Sequence, residues 1–305
     1  MMRFKYLPLL FLIGIGLDAT AKIYTWKDSS GKVHYSDKPA PDQTSSEVEL
    51  KVASSDWKPY DIEIVAVGFE LEADDKERIL KDVNAVYYFY HQRLFLSSYE
   101  TVPVNIKIYA TKKQYQLGLK GHGVGSSRGV FIPKENQIAL YLRKDKEGTF
   151  GTIKHETSHA IAHTSMPYLP SWLNEGLAEN METVAKRGSE VVIGPHQENY
   201  RNLQRLKKKN RLMSLKKMLQ LPSHRWRSHN RTGAGLQTQT GELVRMLFSS
   251  HSGRTFVNKL IREYKHGDRT FAFYHVSDSY FGGMKILNDN WKKWLNRSAS
   301  QVIRF

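Results

Sequence analysis

The chain has 305 residues, 40% of them hydrophobic and none of them cysteine. That length suits one large domain or two modest ones, and the missing cysteines exclude a disulfide-held scaffold. The formal charge of +16 favours anionic surfaces such as lipid headgroups or cell-wall polymers. No nucleic-acid motif accompanies that charge, so nucleic acid is not expected as a partner.

Residues 1–21 combine a short basic start, MMRFK, an apolar run, YLPLLFLIGIGL, and a small-x-small site at Ala19-Thr20-Ala21. This is the pattern of a secretory signal peptide, and the run is shorter than the roughly 20 residues of a membrane span. Export to the periplasm is expected, with a mature chain starting near Lys22. Arg3, Lys5 and Asp18 leave with the signal, which lowers the charge by one to +15. In residues 22–45, Ile23, Tyr24 and Trp26 and then Val33 and Tyr35 flank Ser29-Ser30-Gly31, which predicts a small β-hairpin module. A polar Pro/Ser linker follows, ending over 46–57.

An α/β sheet subdomain is predicted over 58–148. It opens with the strand IEIVAVGF. A long helix comes next, with Asp74 and Glu77 as a capping box and Ile79, Leu80, Val83, Val86, Tyr87, Tyr90 and Leu94 on one stripe. VNIKIYA reads as a strand, TKKQYQLGL as a short helix, and VFIPKENQIALYL as a strand–turn–strand pair. The intervening GHGVGSSRG has neither phosphate-loop nor dinucleotide spacing and reads as a turn. Beyond the central helices, 186–297 is predicted mostly helical, over 197–209, 215–219, 240–250, 254–264 and 287–295, with 298–305 as a tail. The basic run 201–217 reads as a solvated helix face.

The central stretch, HETSHAIAHTSMPYLPSWLNEGLAE over 155–179, carries the chemistry. His155 and His159 stand four apart, so a helix stacks their rings on one face where both can bind one ion. Glu156, one residue step around, misses the metal and reaches a water bound to it. Zinc would lower the pKa of that water, and Glu156 would take its proton and pass it to the leaving amine. His163 lies roughly 12 Å beyond His155 at 1.5 Å per residue, too far to share the ion, and reads as a packing or surface residue. Pro167 and Pro170 stop the first helix, and Ser171 can cap a second. Glu175 and Glu179 lie one turn apart on that second helix. Either can complete a two-histidine, one-glutamate site, and spacing alone does not choose between them.

HETSH followed by SWLNEGLAE resembles the gluzincin metallopeptidases, and the order of elements from about residue 58 to 295 is similar to the bacterial peptidase MA-like group. MSLKKML and NDNWKKWL add to that likeness. KIYTWKDSSGKVHYSDKP resembles a short module of unknown function common in bacterial envelope proteins. The resemblance implies one Zn2+, with His155, His159 and Glu175 as ligands and Glu179 orienting His155. It also implies an antiparallel edge strand that aligns a peptide substrate, for which Asn136, Gln137, Ile138, Ala139 and Leu140 are the candidates. The chain departs from the pattern at GLQTQTGELV, where the resemblance implies an oxyanion-stabilising Tyr and this sequence has Gln237, Thr238, Gln239 and Thr240. His224, His229, Tyr274 and Tyr280 remain as alternatives.

The expected fold is therefore α+β: a small mixed sheet with helices, then a helical lobe, with a zinc cleft between. The expected function is zinc-dependent hydrolysis of envelope peptides or proteins, with weak contact to anionic lipid or cell wall. The competing reading is a zinc-bearing, peptidase-like binding protein of the envelope with little or no activity. Intact Glu156 favours the enzyme, and the departure at 237–240 favours the binder.

Overall fold

The computed structural model describes residues 23–36, 38–39, 46–48, 60–96, 102–122, 127–229 and 235–305. The expected signal peptide lies outside the described residues. The chain divides into two compact units, Met1–Trp57 and Lys58–Phe305.

In the first unit, β1 (Ile23–Lys27) pairs antiparallel with β2 (Val33–Ser36) and, on its other side, with β3 (Ser46–Val48). The third strand lies in what reads from sequence as linker, because three residues are too few to show a period. Asp28 holds the hairpin turn. Its Oδ1 accepts from the Ser30 and Lys32 amides at 2.9 and 3.1 Å, and its Oδ2 lies 2.7 Å from His34 Nε2. Trp26 is opposite His34 in register and stacks on it, with ring centroids 5.4 Å apart.

The second unit is α+β, with small mixed sheets and a helical C-terminal region. Its main sheet has the order β4 (Tyr60–Val67), β5 (Val102–Tyr109), β7 (Gln137–Tyr141), β6 (Gly129–Ile132). The first three are parallel, and β6 runs antiparallel to β7. Alternation gives the sheet two buried faces. Val104, Ile106, Ile108, Ile138 and Leu140 join the main core with α1 (Ala73–Arg93) and α3 (Lys146–Ser165). Tyr109, Ile132 and Ala139 face α2 (Lys112–Gly118) through Tyr115. The α1 stripe buries Ile79, Val83, Val86, Tyr87, Tyr90 and Leu94, as its spacing predicts, and leaves Leu80 half-buried. The capping box does not form: Glu72 is the N-cap and Asp74 lies inside the first turn, where a carboxylate still favours the helix dipole.

A second sheet, β8 (Val184–Arg187), β9 (Glu190–Ile193) and β10 (Ile303–Arg304), is absent from the sequence reading. Its hairpin turns at Gly188, whose φ of 60° suits glycine. The segment read as a tail supplies its outer strand, and Phe305 packs edge-on against Phe89 and Phe248 at 5.1 and 5.4 Å.

The remaining helices are α4 (Ser171–Met181), α5 (Gln197–Lys208), α6 (Leu215–Leu219), α7 (Ser223–His229), α8 (Leu236–Phe248), α9 (His251–Lys265), α10 (Ala272–Ser279) and α11 (Gly283–Leu295). Among the described residues, no helix is long and apolar enough to cross a membrane. Pro170, rather than Ser171, is the α4 N-cap; its carbonyl accepts from the Leu173 and Asn174 amides. α4 and α8 approach closely because both carry glycine at the crossing. A Cβ at Gly176 would lie 2.5 Å from Val244 Cγ2 and 2.8 Å from the Thr240 carbonyl oxygen. One at Gly241 would lie 2.8 Å from Glu179 Cβ.

Replacing a helical glycine normally gains up to about 1 kcal/mol of helix propensity. Here overpacking, typically about 1–3 kcal/mol, outweighs it. Gly176→Val should lower unfolding stability by about 1–2 kcal/mol in urea denaturation. A variant as stable as the wild type would mean that the crossing is looser than described.

Candidate metal centre

α3 is buried on nearly every side, yet its middle is polar. Thr149, Thr152, Lys154, His155, Glu156, Thr157 and Ser158 are all buried. Such a helix is stable only if each polar atom finds a partner. Thr157 donates to the Ile153 carbonyl at 2.8 Å, Ser158 shares a 2.5 Å hydrogen bond with Tyr90, and Lys154 donates to the Val184 carbonyl at 3.2 Å. The histidines and Glu156 are left to be matched by the cleft.

His155 and His159 point the same way, with their Nε2 atoms 3.2 Å apart. Glu175 Oε2, from α4, lies 3.9 Å from each. The outer ring nitrogens are engaged: His155 Nδ1 lies 3.1 Å from Glu182 Oε1, and His159 Nδ1 lies 3.1 Å from Asn174 Oδ1. Those acceptors keep the ring protons on Nδ1, so the two Nε2 lone pairs face each other beside a carboxylate. A proton or a metal ion between them satisfies that arrangement. Two imidazole nitrogens on one tetrahedral ion lie roughly 3.3 Å apart, so the spacing fits a metal. The donor atoms of His155, His159 and Glu175 all fall within 4.8 Å of one another. His155, Glu179 and Glu182 form a second such group. It fits an ion less well, because Glu182 is already engaged by His155 and His196, and Glu179 by the Asn199 amide.

The role expected of Glu179 is corrected by this geometry. Glu179 Oε1 is 3.9 Å from His155 Nδ1, while Glu182, the C-cap of α4, is at 3.1 Å. Glu182 also takes His196 Nε2 at 3.1 Å, bridging two histidines. Glu179 instead accepts from Asn199 Nδ2 at 2.6 Å. The resemblance implies Glu179 for this role, but Glu182, three residues further on and still in helical conformation, is the carboxylate that reaches His155. His196 had no local signal, since it enters from the N-cap of α5. Gln237, in the first turn of α8, donates to Glu175 Oε2 at 2.9 Å.

Burial alone would lower the His155 pKa, but the Glu182 hydrogen bond and the charges of Glu156 and Glu179 push it up to about 10. A proton thus stands in for the ion in the metal-free chain. Burial tends to raise Glu182, yet hydrogen bonds from His155 and His196 hold it well below the usual carboxylate range. Burial, then repulsion from Glu182, raises Glu179 to about 7. Burial also raises Glu156, against the attraction of both histidines and the Phe131 amide.

Glu156 lies between two adjoining cavities of about 550 and 390 Å³, both lined by Ser127, Gly129, His155, Glu156 and Gln237. Gly129 brings β6 against α3: a Cβ there would lie 2.6 Å from Thr152 Cγ2 and 3.3 Å from Glu156. The cleft therefore runs along β6. This corrects the choice of Asn136, Gln137, Ile138, Ala139 and Leu140 as the substrate strand. Gln137–Tyr141 is paired on both sides, by β5 and β6, and Ile138, Ala139 and Leu140 are fully buried. Asn136 sits in the preceding turn at a φ of 46°. Its partner β6 is the edge strand. Of the alternatives for an oxyanion donor, His224, His229, Tyr274 and Tyr280 line neither cavity. His163 is exposed, packs at 5.7 Å on Phe131 and lines the larger cavity without reaching the donor cluster.

Residues 10–57 match the family described as a domain of unknown function, DUF4124. No curated protein matches the chain. The family match covers the N-terminal unit and none of the His155–Glu175 region, so the peptidase resemblance rests on the motif and on this geometry.

Because Glu182 touches His155 and Glu179 does not, Glu182→Gln should weaken metal affinity about 10- to 100-fold, with zinc as the probe ion. Glu179→Gln should weaken it less. Titration against a competing chelator measures both, and a larger loss from Glu179→Gln would reverse the assignment.

Proposed function

We propose that the second unit is a zinc-dependent peptide hydrolase, exported to the periplasm and acting on envelope peptides or proteins. The observation that carries the reading is the buried pair of facing Nε2 atoms on α3, with Glu175 beside them and Glu156 next to them on the open cleft. His155, His159 and Glu175 would hold the ion; Glu182 and Asn174 orient the two rings, and Gln237 orients Glu175. Bound zinc supplies Lewis acidity, which makes water more acidic and a carbonyl more electrophilic.

The chain's own residues divide the remaining work. The outer edge of β6 takes the substrate backbone by strand addition. Glu156 removes a proton from water as the water oxygen bonds to the carbonyl carbon, then delivers that proton to the amide nitrogen as the C–N bond breaks. Its buried setting keeps the carboxylate basic enough to do both.

A second reading is favoured by one observation: no Tyr or His among the expected candidates reaches the cleft to stabilise an oxyanion. Loss of such a donor costs about 100- to 1,000-fold in rate. A zinc-bearing envelope protein that binds peptides and cleaves them slowly is consistent with that. The charge of +15 left after removal of the signal, one less than the +16 of the whole sequence, supports weak, salt-sensitive contact with anionic lipid or cell wall in either case. Cell fractionation tests the location, and recovery of the protein with uncleaved Met1 in the membrane would count against it.

Glu156→Gln should keep zinc and lose at least about 100-fold in turnover on peptides. Zinc content and rate, measured on the same preparation, separate the two effects; undiminished cleavage would remove Glu156 from the mechanism.

Zinc loading should also release protons. At pH 7 the metal-free His155 is protonated, being below its pKa of about 10, and binding through Nε2 expels that proton. Affinity should therefore rise with pH. Calorimetry in buffers of different ionisation enthalpy should report about one proton released per zinc. A value near zero would mean that the ion does not displace the His155 proton.

A further inference from the structure

Of the two cavities flanking Glu156, only the larger carries apolar side chains. The larger adds an apolar wall of Val130, Phe131, Ala162, Met166 and Leu169, beside His122, His163 and the metal-centre side chains His159, Asn174 and Glu175. The smaller adds no apolar side chain: it is lined by Thr152, Asn199, Asn202 and Thr238, by His196 with Glu179 and Glu182, and by Glu198 with Arg128 at the rim. Arg128 and Glu198 form a paired rim contact at 2.9 Å that ties the start of β6 to α5.

From these halves we infer that the cleft selects peptides with a bulky apolar side chain before the cleaved bond and a polar side chain after it. The inference rests on the peptide-hydrolase reading above and adds the substrate class to it. Direction follows from β6. The chain enters β6 from Arg128, which lines only the polar half, and runs through Val130 and Phe131 to Pro133, which line only the apolar half. Antiparallel pairing is the more stable ladder. A peptide added that way runs against β6, so its N-terminal side lies in the apolar half and its C-terminal side in the polar half.

Selection in the first half comes from removing apolar surface from water against the half-buried Val130, Phe131 and Leu169. Selection in the second comes from the reverse effect. A leucine placed among Glu198, Asn199 and Asn202 would strip water from them and return no hydrogen bond. A polar side chain replaces that water directly. Single-subsite discrimination of this kind is worth about 10- to 200-fold.

The test uses the zinc-loaded full chain and a mixed peptide library, with cleavage sites mapped by mass spectrometry. The same peptides are titrated onto Glu156→Gln by fluorescence anisotropy, which reads binding without turnover. Phe, Leu or Met should be enriched at least about 10-fold before the cleaved bond, and Asn, Gln or Thr after it. Leu169→Asp should erase the first preference, and Asn202→Leu should admit apolar residues at the second position. Both variants lie on the cleft surface and are checked for unchanged zinc content. Cleavage without enrichment, or with the order reversed, overturns this inference and leaves the hydrolase reading intact. Neither cleavage nor binding of any peptide overturns the hydrolase reading and the inference with it.

Discussion

The second unit is organised by one requirement: α3 must bury a polar middle without leaving a polar atom unmatched. An unpaired buried polar group costs on the order of 1–3 kcal/mol, and an unpaired charge more, while whole domains are stable by only about 5–15 kcal/mol. Several neighbours of α3 carry a partner for it. Tyr90 comes from α1, Asn174, Glu175 and Glu182 from α4 and its cap, and the Val184 carbonyl from β8. At the candidate metal centre this matching brings two imidazole nitrogens within 3.2 Å of each other, a pair that either a proton or a metal ion can bridge.

The α4–α8 crossing sets how well that matching works. Gly176 follows Glu175 directly, and Gly241 packs under Glu179. The glycines let α8 approach until Gln237 reaches Glu175 and the Asn180 amide reaches the Gly241 carbonyl at 2.8 Å. The glycine in Asn174-Glu175-Gly176 thus belongs to packing rather than to chemistry. It still decides where the carboxylate sits, since a side chain there would push α4 away from α8.

Much of this was legible in the sequence, and the losses have physical reasons. The 3.6-residue stripe of α1, the alternation in β5 and the four-residue spacing of His155 and His159 are local patterns, and local patterns survive folding. Glu175 was named as one of two carboxylates, and it lies beside both histidines. Glu182 and His196 were missed because their partnership with His155 depends on how α4 ends and where α5 begins. The edge strand is not legible because a hairpin sequence does not say which of its arms, β6 or β7, meets β5. β8, β9 and β10 were missed because four-residue and two-residue strands have almost no period. The caps of α1 and α4 failed for a similar reason: a short polar residue near a helix start is common, and its exact offset is decided by the preceding chain.

The last residues of the chain reach into this network from far away in sequence. Ser300 Oγ accepts from the His196 amide at 3.0 Å, and the Gln301 carbonyl accepts from buried Arg245 at 2.9 Å. Ile303 pairs with Ile193, just ahead of His196. Through His196 and Glu182, the position of His155 therefore depends on residues more than a hundred positions later. Contacts so distant close slowly, because a long loop must be ordered before they form. During synthesis the α3 helix is complete long before its support exists. A nascent or truncated chain would hold the motif without the supports that bring its donor atoms together.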